Sequence, residues 1–159
     1  MSNRIVVNAS PLIVLSRAGR IDLLTLVGQP IHVPESVNRE VREHSDEAAR
    51  LLDTITWLQT VPDAENLSLV RSWDLGPGES AVLEWAQANR PARAIIDDYA
   101  ARKLANVLAV PVTGTLGLAL LARQRGLVPS ARSLVDEFVR AGLYLSDSVI
   151  GHALRLVGE

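Results

Sequence analysis

Four short, largely apolar runs, Arg4–Val7, Ile31–Val33, Ala94–Ile96 and Val110–Val112, are separated by segments with helical periodicity. That alternation constrains the fold more than any other feature of the chain, because short apolar strands separated by crossover helices are strands buried on both faces of a parallel sheet. The expectation is an α/β fold with a parallel sheet. Helical segments are expected at 11–18 with 21–26 continuing past Gly19, at 35–43, 46–58, 78–89, 98–108, 115–125 and 130–141, and at 146–157 before Gly158. Within 46–58, Ala48, Leu51, Leu52 and Ile55 recur at helical spacing behind a Ser45–Asp46 start. Between Pro62 and Pro77 the pattern weakens around a short Leu67–Trp73 run, which reads as a loop or mobile segment.

A chain of 159 residues fits a single domain spanning 1–159 and is long enough to bury a sizeable core. It contains no cysteine, which excludes a disulfide framework and thiolate metal sites and agrees with a cytoplasmic location. The start Met-Ser-Asn-Arg leads straight into a strand-like run, with no apolar leader. Residues 104–122 approach the length of a membrane span, but Pro111, Gly114 and Gly117 interrupt them, so a buried helix–strand–helix passage is expected. With 16 basic against 18 acidic residues there is no global basic field, and any nucleic-acid site must be local.

Ile5-Val-Val-Asn8 delivers a small ligand-capable side chain to the end of the first strand, and Ser10-Pro11 then reads as a helix start. Acids stand at comparable junctions. Glu40 lies after the second strand, Glu79 follows Gly76-Pro77-Gly78 at a helix start, and Asp97 and Asp98 end the strand at Ile96. If these junctions converge, Asn8, Glu40, Glu79 and Asp97 offer oxygen ligands to one volume, and carboxylates packed together imply a bound cation. Oxygen ligation without cysteine or paired histidines selects Mg²⁺ or Mn²⁺, and phosphodiester hydrolysis by metal-activated water is the natural chemistry.

The segments 6–13 (Val-Val-Asn-Ala-Ser-Pro-Leu-Ile), 33–41 (Val-Pro-Glu-Ser-Val-Asn-Arg-Glu-Val), 76–81 (Gly-Pro-Gly-Glu-Ser-Ala), 95–102 (Ile-Ile-Asp-Asp-Tyr-Ala-Ala-Arg) and 112–117 (Val-Thr-Gly-Thr-Leu-Gly), with the tail from Gly126 to Ser146, resemble the PIN-domain ribonucleases. The resemblance is greatest to the VapC-type toxins of toxin–antitoxin pairs, and it covers nearly the whole chain. It implies an α/β/α sandwich with a short parallel sheet of about four to five strands. It also implies a Mg²⁺- or Mn²⁺-dependent endoribonuclease, a toxin with Asn8, Glu40, Glu79 and Asp97 as catalytic and metal-site residues and Asp98 as a further metal ligand. RNA is then the substrate, a small antitoxin the partner, and a homodimer the expected assembly, with Leu51, Leu52 and Ile55 as surplus apolar surface. Asn8 stands where such nucleases commonly carry their first aspartate, and an amide brings no charge to a cation.

Ser10, Arg102, Lys103, Thr113 and Thr115 sit at the edge of this site as substrate contacts, although Ser10 and Thr115 equally suit helix capping, as does Asp98. His32, His44 and His152 have no metal-ligand spacing, and Trp57, Trp73 and Trp85 suit packing better than base stacking. The competing class is a catalytically weakened PIN-like module that binds RNA or protein, which fold alone does not separate from the enzyme.

Overall fold

A computed structural model describes residues 4–159. Five strands, β1 (Arg4–Val7), β2 (Ile31–Pro34), β3 (Leu58–Val61), β4 (Ala92–Ile95) and β5 (Val112–Thr113), form one sheet in the order β3-β2-β1-β4-β5, with every pair parallel. Nine α-helices are described: α1 (Ala9–Arg17), α2 (Glu35–His44), α3 (Asp46–Thr54), α4 (Ser68–Ser72), α5 (Pro77–Ala88), α6 (Tyr99–Val107), α7 (Thr115–Gln124), α8 (Ala131–Arg140) and α9 (Asp147–Arg155). A 3-10 segment, Ile21–Leu26, follows α1. The result is an α/β/α sandwich.

The central strands are buried as their composition demands. Val6, Val7, Ala94 and Ile95 are inaccessible to solvent, as are Ile31 and Val33 of β2. Helix α5 packs on β1, β2 and β4 and against α2, while α7 packs on α8, α9 and the 3-10 segment. Residues 104–122 are indeed a helix–strand–helix passage, and no helix among the described residues is long and apolar enough to cross a membrane. The reading of residues 1–3 as a leaderless start lies outside the described residues.

Three expectations need correction. Residues 46–58 are not one helix: α3 stops at Thr54, and the chain re-enters the sheet as edge strand β3. Only Leu58 of β3 is buried, so its sequence lacks the apolar run that marks the inner strands. On α3, Ala48 and Leu52 are buried and Ile55 packs against the core, so this face is mostly covered from within the chain. Strand β4 starts at Ala92, two residues before the expected run, because Ala92 and Arg93 pair with Arg4 and Ile5 of β1, and the Arg93 charge is accommodated by its Nη1 donating to the Thr113 hydroxyl at 3.1 Å.

The 62–77 segment is fastened rather than mobile. It contains α4, and the buried Glu84 carboxylate of α5 accepts hydrogen bonds from the Leu67 N–H at 2.7 Å and from the Arg71 guanidinium at 2.7 and 3.1 Å.

Candidate functional site

The sheet order turns at β1, which pairs with β2 on one side and with β4 on the other. A crevice opens beyond the carboxyl ends of the strands at such a point. Asn8 leaves β1 there with its N–H donated to the Ile95 carbonyl at 3.0 Å, while Ile96 donates to the Thr113 carbonyl at 3.2 Å and carries the chain on to Asp97. A cavity of about 890 Å³ occupies the crevice, with Asn8, Ser10, Glu79, Asp97, Asp98 and Arg102 on its polar side and leucines of α7 on its apolar side.

Asp97 is tied to the start of α7. Its carboxylate accepts the Thr115 N–H at 2.7 Å and the Thr115 hydroxyl at 2.6 Å, and Thr115 itself is wholly buried. Burial pushes this carboxyl above its ordinary range, opposed by the two Thr115 bonds and by the Arg102 charge. Arg102 donates from Nη1 to the Ile96 carbonyl at 3.1 Å. A Cβ on Gly114 would stand 2.5 Å from that nitrogen and 3.1 Å from Asp97 Oδ1, so guanidinium and carboxylate flank one glycine. The chain therefore supplies its own cation beside Asp97.

On the other side of the crevice Asn8 is 2% exposed and its Oδ1 has no hydrogen-bond partner. Gly78 lets the start of α5 close over it: a Cβ there would meet Glu40 Oε2 at 2.5 Å and Asn8 Oδ1 at 3.2 Å. Burial, and then the charge of Glu79, push the Glu40 carboxyl upward against the opposing effect of His44. Glu40 is not among the residues lining the cavity. Glu79 sits in the first turn of α5 with its carboxylate turned back toward Gly76, where the helix dipole favours it.

Among the described residues no group of three or more His, Cys, Asp or Glu side chains is placed to hold a metal ion. This overturns the expectation of a divalent-metal ribonuclease toxin hydrolysing RNA through Asn8, Glu40, Glu79 and Asp97. The physical reasons are local. Asn8 is neutral, Glu40 lies off the cavity, Asp98 caps α6 by accepting the Ala101 N–H at 2.9 Å, and Arg102 brings a positive charge to Asp97. Such a donor set does not fit Mg²⁺ or Mn²⁺, which need several oxygen ligands converging on one point.

Of the expected edge residues, Ser10 is exposed in the first turn of α1 and does not cap it; Asn8 holds the cap position without a side-chain cap bond. Thr113 lines the cavity and its hydroxyl accepts from Arg93. Thr115 faces Asp97 from the interior, and Lys103 is exposed with Nζ 5.0 Å from the centre of the Tyr99 ring. Tyr99 and Tyr144, both strongly exposed, also line the cavity and are not among the residues singled out from the sequence. The available signal for Tyr144 was misleading, since Leu143-Tyr144-Leu145 reads as an apolar run.

A family model described as a PIN domain matches residues 4–159. A search of curated proteins found no match to the chain.

Proposed function

We infer, from the fact that this chain belongs to the PIN-domain family, that it uses a nuclease-related fold as a binding module for single-stranded RNA without metal-dependent hydrolysis. One observation carries the reading: the Arg102 guanidinium is held at the cleft by the Ile96 carbonyl, beside an Asp97 whose oxygens are already engaged. Only one Arg102 nitrogen is bonded in this way, and a guanidinium with donors to spare suits a phosphate. Lys103, one residue on, is exposed with its Nζ 5.0 Å from the centre of the ring of Tyr99, which lines the cleft, and adds a second charge.

The test is fluorescence anisotropy of a labelled single-stranded RNA in EDTA across a salt series. Two phosphate contacts, at Arg102 and Lys103, predict a slope of log affinity against log salt of about −1.4, and Arg102→Met should halve it. No saturable binding to single-stranded RNA refutes the reading.

A second reading is favoured by the apolar side of the same cleft, where Leu116, Leu120, Leu145 and Val149 suit a small protein partner of the antitoxin kind. Such a partner would bind wild type and fail against Val149→Arg.

A further inference from the structure

We propose that Tyr99 and Tyr144 form a stacking platform for the bases of the bound strand, an inference that rests on the RNA-binding reading above. The chain has two tyrosines, and both line the cleft described above, at 74% and 96% exposure. Its other aromatic rings face inward: Trp85 and Phe138 are buried, and Trp57 and Trp73 pack against the core. A ring left in water adds nothing to the core, so two of them at one cleft ask for a ligand with flat apolar faces.

The two rings are mounted differently. Tyr99 opens α6 directly after its Asp98 cap, and Lys103, one turn later, lies over the ring of a residue that is still three-quarters exposed. Tyr144 projects from the turn between α8 and α9. The backbone on either side of that turn is secured: Leu143 is buried and donates its N–H to the Phe138 carbonyl at 2.9 Å, and the Ser146 side chain caps α9 by accepting the Val149 N–H at 3.2 Å. Every nucleobase presents a π face, so stacking on such rings with Arg102 and Lys103 on the phosphates binds a single strand without reading base edges. Preference among sequences then follows stacking strength, with adenine-rich strands favoured over uridine-rich ones.

The experiment compares a short adenine-rich RNA with a strand of equal length that lacks its bases, both in EDTA, against wild type, Tyr99→Ala, Tyr144→Ala and the two Tyr→Phe variants. Each alanine change should weaken binding of the RNA about 5- to 150-fold, while each phenylalanine change leaves it near wild type. The abasic strand should bind all five proteins equally. If wild type binds the RNA and the alanine variants bind it equally well, the platform is refuted and the RNA-binding reading stands. An equal loss on the abasic strand also refutes stacking, because the rings would then act through the backbone. If wild type binds neither strand, both proposals fall.

Discussion

Replacing Asp97 distinguishes a residue that holds the fold from one held ready for a cation. Thr115 is fully buried, and its N–H and hydroxyl have Asp97 as their partner at 2.7 and 2.6 Å. In Asp97→Ala both bonds go, and only water from the cleft that Asp97 lines can take the carboxylate's place. A lost hydrogen bond to a charged group costs roughly 1.5–3 kcal/mol, and loss of a helix cap about 1 kcal/mol. Relief of the unfavourable carboxylate burial offsets part of this, so the net loss should be about 2–4 kcal/mol. For a chain of this length that lowers the melting temperature by roughly 6–12 °C. Asp97→Asn is the control, because its amide oxygen can still accept the Thr115 N–H and its amide nitrogen can donate to the Thr115 hydroxyl; it should stay within about 1 kcal/mol of wild type. The assay is urea and thermal unfolding in EDTA. If Asp97→Ala is unchanged or more stable, Asp97 belongs to an unneutralised acidic cluster whose members repel one another, and the capping argument fails.

Glu40→Gln should stabilise the protein at neutral pH and lose that advantage in acid. The folded carboxyl is raised above its ordinary value of 4.5, so the folded state binds more protons, and the wild type loses stability as pH rises from 4.5 through the folded value. Unfolding curves for both proteins at pH 4 and pH 7 check the sign. Asn8→Asp would bury a new carboxylate near Glu40 and should cost about 1–3 kcal/mol at pH 7 in EDTA, with the deficit shrinking on acidification; a more stable variant would contradict it. Arg71→Ala should cost about 2–3 kcal/mol, less than a fully buried pair because the guanidinium is half exposed, and it should expose residues 62–73 to limited proteolysis. Glu84→Gln, which keeps an acceptor for the Leu67 N–H, should be milder in both measurements.

The inner sheet was legible because β1, β2 and β4 are buried on both faces and their residues say so. The edge was not, since β3 is half solvated and follows a helix with similar spacing. At the site, Asn8, Glu79 and Asp97 were correctly placed at strand ends and helix starts, and the structure brings all three to one cavity. What the sequence could not reveal was how the donors are already engaged. The bond of Asp97 to Thr115 crosses 18 residues and depends on β4 and β5 pairing Ile95 with Thr113. The position of Arg102 beside Asp97 depends on the first turn of α6 folding back to the Ile96 carbonyl. A list of acids at junctions carries neither fact.

The most direct test of the account incubates an end-labelled single-stranded RNA with wild-type protein in EDTA and in Mn²⁺, and measures the bound and cleaved fractions in each. Saturable binding of equal affinity is expected in both solutions, with the RNA intact. Cleavage that appears with Mn²⁺ and stops in EDTA would contradict it.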